Sequence, residues 1–220
     1  LVTNTSQPTA EVYADDGELT CVNLFIAGSR TSADYYMKIT SASEDRHAGI
    51  WNTSKALIKS DDSTEPLISV GDEYFQIEWM QLYRMVYATS GSTRQAIEMG
   101  TSGELTSAPI YVRHCLFLRE SGGSGSGETS ALRLSDSDPA YYINNNIFIG
   151  FNSSGGNDKA IQIPYSAGPS IFNNTFIDCT LGIRGDQNAS VKNNVFQDCA
   201  TDVTELDADS TNDYNLTDLT

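Results

Sequence analysis

Ile143-Asn144-Asn145-Asn146-Ile147-Phe148, Ile171-Phe172-Asn173-Asn174-Thr175-Phe176 and Val191-Lys192-Asn193-Asn194-Val195-Phe196 are three versions of one line. Each opens on a β-branched residue, passes through Asn-Asn and reaches Phe five positions after its start. Three positions further on in each line stand Phe151, Cys179 and Cys199. A recurrence of this kind marks a repeat architecture. A unit this short has one apolar line and cannot bury it alone, so neighbouring units must stack.

The Asn-Asn pair tells how the chain turns. Asn tolerates left-handed backbone, and its amide bonds locally. If units stack at strand spacing, about 4.7–4.9 Å, then Asn145, Asn173 and Asn193, or Asn146, Asn174 and Asn194, lie above one another. Each amide then donates to the carbonyl of the next. The sequence points first to Asn145, Asn173 and Asn193 as the rungs. A second column keeps step: Ala160-Ile161-Gln162-Ile163, Gly182-Ile183-Arg184 and Asp202-Val203-Thr204. The step from Ile171 to Ile183 equals the step from Val191 to Val203. The expectation is a parallel β-solenoid.

Working outward, Ile77-Glu78-Trp79-Met80-Gln81-Leu82 and Val112-Arg113-His114-Cys115-Leu116-Phe117 fit the same pattern. Ala96-Ile97-Glu98-Met99 and Ala131-Leu132-Arg133-Leu134 fit the second column. Coils therefore start at Ile77, Val112, Ile143, Ile171 and Val191, and they shorten steadily along the chain. Trp79-Met80 and His114-Cys115 replace Asn-Asn in the early coils, so the ladder should begin at the coil that opens on Ile143. Within 65–87 the apolar residues alternate through Phe75, Ile77 and Trp79, which favours strand over helix. Extra length must leave the stack as loops: Glu120 to Glu128 is Gly/Ser-rich, and 152–158 is its counterpart.

The organisation expected is residues 1–66 as an N-terminal cap section, 67–204 as coils, and 205–220 as an acidic tail or cap. Within the tail Asp213-Tyr214-Asn215-Leu216 offers one more strand. Asp45-Arg46-His47-Ala48-Gly49-Ile50-Trp51 reads as a loop pinned by Trp51. The chain starts at Leu1 and contains no apolar run long enough to span a bilayer. It therefore reads as a soluble mature or excised segment without membrane insertion. Its net charge of −16, with 29 acidic side chains in no long block, excludes the Lys/Arg face that nucleic acid or anionic lipid needs. It suits salty or extracellular surroundings.

Cys21, Cys115, Cys179 and Cys199 form no zinc pattern. Cys179 and Cys199 occupy equivalent places in adjacent coils, within disulfide range, but parallel side chains favour stacked free thiols. Sequons occur at Asn4, Asn52, Asn152, Asn173, Asn188 and Asn215; placing Asn173 in the ladder makes it inaccessible after folding.

On a solenoid, chemistry sits on an exposed face or in loops. The outward column of the second strand, Glu98, Arg133, Gln162, Arg184 and Thr204, is the candidate binding face, with Glu98 and Arg133 as an ion pair. For a glycosidase, two carboxylates about 5–9.5 Å apart are needed; Asp178 and Asp198 come nearest, as solvated turn residues that could hold calcium between them. For a lyase, Arg184 beside Asp186 is the only candidate. No other cofactor or metal is expected. His47 and His114 lie far apart in the repeat, with no nucleophile elbow near either. Arg184-Gly185-Asp186 matches a short adhesive tripeptide, but Arg184 is already accounted for as an outward strand residue.

Ile171 to Phe176 and Val191 to Phe196, with the Asn ladder at the short turn, resemble the right-handed parallel β-helix repeat proteins of the pectate-lyase-like fold. The resemblance covers residues 77–203. It implies an all-β, right-handed parallel β-helix of about five coils with an irregular N-terminal cap. Members include polysaccharide lyases and hydrolases, phage tailspikes, adhesins and surface proteins. The polygalacturonase motifs Asn-x-Asp, Asp-Asp, His-Gly and Arg-x-Lys do not occur in order. The expected function is a non-catalytic structural or glycan-contacting surface module of a virion or secreted assembly; a tailspike-like polysaccharide lyase or hydrolase is the competing one. Expected partners are further copies of the chain, a homotrimer among them, and polysaccharide. Fold similarity alone does not confer function.

Overall fold

A computed structural model describes residues 9–14, 19–21, 23–27, 31–60, 65–84, 93–100, 108–119, 128–136, 140–152, 157–165, 168–185, 188–206 and 210–217. Strands follow one another in sets of three. The opening sets are β1 (Thr9–Val12), β2 (Leu19–Cys21) and β3 (Leu24–Ile26), then β4 (Met37–Ser41), β5 (Leu57–Ser60) and β6 (Ile68–Val70). Next come β7 (Phe75–Glu78), β8 (Gln81–Arg84) and β9 (Thr93–Met99), then β10 (Pro109–Arg113), β11 (Leu116–Arg119) and β12 (Glu128–Leu134). The Asn-Asn sets are β13 (Ala140–Asn144), β14 (Ile147–Ile149) and β15 (Lys159–Ile163), followed by β16 (Ser170–Phe172), β17 (Thr175–Ile177) and β18 (Leu181–Gly185). The last are β19 (Ser190–Lys192), β20 (Val195–Gln197) and β21 (Thr201–Thr204), with β22 (Thr211–Asp213) beginning another.

Among the described residues the first members of each set pair in parallel as an eight-stranded sheet A, and the second and third members form seven-stranded sheets B and C. The result is a parallel β-solenoid. Its registers are those of the sequence columns: Val112 with Ile143, Ile143 with Ile171, and Ile171 with Val191. Likewise Leu132, Ile161, Ile183 and Val203 follow one another in sheet C.

Pairing reaches further toward the N-terminus than the repeat in the sequence reveals. In the section expected to be an irregular cap, β4 pairs with β7 through Ile39 and Ile77, and β3 with β6 through Leu24 and Ile68. The inward residues are there, but no Asn-Asn marks the turn and the connections vary in length, so no constant offset survives. At the other end β22 pairs with β19, and Leu216 bridges to Val195, as the Asp213–Leu216 segment suggested. The Glu120–Glu128 excursion lies outside the described residues up to 127, as does 153–156 of its counterpart.

Why the chain turns where it does is visible in the backbone. Trp79, His114, Asn145, Asn173, Asn193 and Tyr214 all have φ between 54° and 60°, the left-handed region in which Asn is enriched. These are the first residues of each turn between sheets A and B. Asn145, Asn173 and Asn193 point outward and are exposed. The ladder is built by the second residue. Asn146 Nδ2 donates to Asn174 Oδ1 at 3.0 Å, Asn174 Nδ2 to Asn194 Oδ1 at 3.0 Å, and Asn194 Nδ2 to Asn215 Oδ1 at 3.0 Å. The column Asn145/Asn173/Asn193 is therefore corrected: a residue in left-handed conformation turns its side chain to solvent, and only the next one faces inward. Asn173 leaves the ladder with it, and Asn215 joins. At the upper end the Cys115 N–H donates to Asn146 Oδ1 at 2.9 Å, so the ladder begins in the coil that opens on Ile143, as the sequence indicates, with Asn146 as its first rung.

Inside, one residue per winding stacks on its equivalent. Phe117, Phe148, Phe176 and Phe196 form a column with ring centroids 4.9, 4.9 and 4.7 Å apart and planes within 10°. Near the mouth of sheet C, Gly182 is required rather than tolerated: a Cβ there would meet the Asp202 carbonyl oxygen at 2.5 Å and Phe196 Cε1 at 2.6 Å. Among the described residues one ion pair has both side chains buried: Asp158 is fully buried, paired with Arg119, and accepts the Thr129 N–H at 3.0 Å. A buried charge persists only when paired and hydrogen-bonded.

Candidate functional site

Two outer faces carry polar and aromatic side chains in register. The first is the sheet C column expected from sequence. Glu98, Arg133, Gln162, Arg184 and Thr204 follow one another as Cα partners. Arg133 Nη1 donates to Glu98 Oε1 at 3.2 Å, the ion pair the spacing implies. Arg184 is engaged by Glu205, Nε to Oε2 2.5 Å. Beside them Lys159, buried, meets Glu128 at 2.7 Å and the Asn157 carbonyl at 2.8 Å. Burial lowers the pKa of Lys159 against the opposing pull of Glu128. Glu128, Gln162, Pro164, Arg184 and Gly185 line a cleft of about 240 Å³. Of its charged lining, Glu128 is paired with Lys159 and Arg184 with Glu205.

Asp178 and Asp198 sit at the turn that follows sheet B, with φ of 52° and 54°, both exposed. Gly150, φ 77°, precedes them at the equivalent turn. They are turn residues; Asp178 accepts from Asn152 Nδ2 at 2.9 Å. Asp186, the suggested lyase partner of Arg184, lies outside the described residues. Among the described residues no three His, Cys, Asp or Glu side chains converge as a metal site.

The second face was not legible beforehand. On the outside of sheet A, Tyr111 stacks on Tyr142 with centroids 5.0 Å apart and planes 19° apart. Tyr36 lies 5.5 Å from Tyr74 and 5.8 Å from Tyr111. Desolvation, then the neighbouring Tyr111, holds the Tyr36 phenol above its usual pKa, so it stays a donor. In the adjacent outward column Thr40, Glu78 and Arg113 are partners in register. The Glu78 carboxylate gathers Lys38, Gln76 Nε2 at 2.9 Å and Arg113 Nε at 2.9 Å. Burial alone would raise its pKa, but the two cations outweigh it and the carboxyl is held below its ordinary value. Arg113 also lies over the Tyr111 ring at 5.8 Å.

This face ends at the left-handed turn column, where Trp79 and His114 stand in the place of Asn145. Their rings stack at 4.4 Å and 7°. Bulky residues at positive φ cost about 1–2 kcal/mol each, and such strain clusters where structure has a task. The Arg46 guanidinium lies 5.2 Å over Trp79. His47, apart from His114 in the sequence repeat, is brought to it: its Nε2 donates to the His114 carbonyl at 2.9 Å, and its Nδ1 accepts the Gly49 N–H at 3.1 Å. The loop between β4 and β5 folds back over the turn column to place it there. Trp51 does pin this loop, its ring 5.3 Å from Tyr83, and Asn52 and Gln81 exchange two hydrogen bonds of 2.8 Å.

Those bonds need neutral His47. Desolvation lowers its pKa, as it does for His114, which also faces Arg113 and Arg46. A depressed histidine stabilises the fold fully above its unfolded value, about 6.5, and the contribution is lost as pH falls below that. Glu78 acts lower, losing its contribution only below the ordinary carboxylate range. The thermal midpoint should therefore drop between about pH 7 and pH 5.5. His47→Gln should flatten that slope; an unchanged slope in the variant removes His47 as its source.

No protein-family model, curated protein or solved structure matches the chain.

Proposed function

We propose that the chain is a rigid β-solenoid module of an extracellular or virion-surface assembly, and that it contacts glycan through the outer face of sheet A. The winding is taken as right-handed, the sense parallel crossovers favour, and as pectate-lyase-like in kind. What carries the reading is the tyrosine row Tyr36, Tyr74, Tyr111 and Tyr142 beside the Lys38–Glu78–Arg113 group. Sugar rings offer C–H faces that lie on aromatic faces and hydroxyls that bond to side chains at the rim; tyrosine serves both needs. Glu78 pairs with both Lys38 and Arg113 and offsets one of their two charges, and the chain as a whole carries −16, so a neutral glycan is favoured over a polyanion.

A panel of neutral and acidic polysaccharides, titrated against the protein, tests this. A neutral glycan should bind, and Tyr111→Ala should weaken it about fivefold, the loss of roughly 1 kcal/mol of ring contact. Binding untouched by Tyr111→Ala and Tyr142→Ala displaces the site from this face. New reducing ends or unsaturated products, abolished by changing Arg184 or Asp178, would instead establish a lyase or hydrolase. Light scattering reports the assembly, with a trimer as the expected closed form.

A further inference from the structure

We propose that Cys179 and Cys199 form a two-thiolate site for a soft monovalent metal ion of the Cu(I) class, seated between adjacent rungs of the solenoid. The Thr180 N–H donates to the Phe151 carbonyl at 2.8 Å and the Ala200 N–H to the Cys179 carbonyl at 2.9 Å, which stacks Phe151, Cys179 and Cys199 in one column. Each thiol faces the carbonyl two positions back, Ile177 at 3.5 Å and Gln197 at 3.6 Å. The two side chains are thus oriented alike.

Spacing decides what such a pair does. Parallel side chains on adjacent rungs sit about 4.7–4.9 Å apart. A disulfide needs Cβ atoms near about 3.8 Å, closer than parallel stacking gives. Two thiolates joined through one ion need sulfurs about 4.6 Å apart, twice a metal–thiolate bond of about 2.3 Å. The column spacing fits the bridge and not the bond. Thiolate ligands select Cu(I) among soft ions, whereas structural zinc takes four ligands, and no third His, Cys, Asp or Glu converges here among the described residues.

Access agrees. Cys179 is buried and Cys199 half-buried, so the ion enters at Cys199. Asp178 and Asp202 add negative potential at the thiols. On binding, each sulfur donates an electron pair to the ion and two S–H protons leave to solvent; nothing is oxidised or reduced.

The test is anaerobic titration of the full chain with Cu(I) against a chromophoric Cu(I) chelator. One ion per chain should be retained. Removing one ligand should cost more than the roughly 10–100-fold that a lost outer-shell partner costs, so Cys199→Ser and Cys179→Ser should each weaken retention about 100-fold or more. The double variant Cys21→Ser/Cys115→Ala should keep it. Because Cys179→Ser alters the interior, circular dichroism and native mass spectrometry accompany each variant, and half-buried Cys199→Ser is the deciding one. Retention unchanged in folded Cys199→Ser, no retention by the native chain, or ready oxidation to a Cys179–Cys199 disulfide in place of binding overturns the proposal.

Discussion

Replacing Asn174 by alanine is expected to destabilise the protein by about 3–5 kcal/mol, a large share of the roughly 5–15 kcal/mol that holds a domain folded. Asn174 is buried to 1% exposure and serves two windings at once. Its Oδ1 accepts the Asn146 N–H and Asn146 Nδ2, both at 3.0 Å. Its Nδ2 donates to the Ile143 carbonyl at 2.9 Å and to Asn194 Oδ1 at 3.0 Å. Alanine strands several of these groups away from water, and each unsatisfied buried group costs about 1–3 kcal/mol. The neighbour makes the control. Asn173, with φ 58° and an exposed side chain, should accept glycine with a change of no more than about 0.5 kcal/mol, because glycine adopts that backbone freely. Urea unfolding of the two variants checks both; equal losses would show that the two asparagines share the ladder.

Phe176→Ala should cost a similar amount, about 3–5 kcal/mol. The ring sits fully buried between Phe148 and Phe196, so its removal leaves a cavity that the fixed rung spacing keeps from collapsing. Phe176→Leu should recover most of the loss, leaving about 1.5 kcal/mol or less. Because solenoid windings are held by nearest neighbours, the effect should also be directional. Hydrogen exchange should quicken across 188–217 before it does across 108–149. Uniform acceleration along the whole chain would mean that the stack unfolds as one unit and the column is not the coupling.

Much of this fold is present in the chain as plain recurrence. The Asn-Asn turn, the Phe that closes each line and the second column at its constant step repeat because each winding offers the same environment. Identical surroundings demand identical residues, so register could be read without coordinates. The ion pair of Glu98 and Arg133 follows for the same reason: equal offsets put them on neighbouring strands. Irregular spacing hides the rest. The windings before Phe75 keep their inward Ile39 and Leu24 but lack the turn signal, and Tyr36 and Tyr74 precede their strands at no repeating offset from Tyr111 and Tyr142.

The sequence by itself determined a stack of parallel windings, its register and the winding at which the asparagine ladder starts, because a local period of turns and inward residues admits one way to bury the apolar line. Only the tertiary structure decided which asparagine of each pair faces inward, since that depends on where left-handed backbone aims a side chain. It alone brought His47 to His114 and gathered the tyrosines and the Lys38–Glu78–Arg113 group on one face. Those contacts are made by excursions folding back across windings, and no periodicity constrains where an excursion lands.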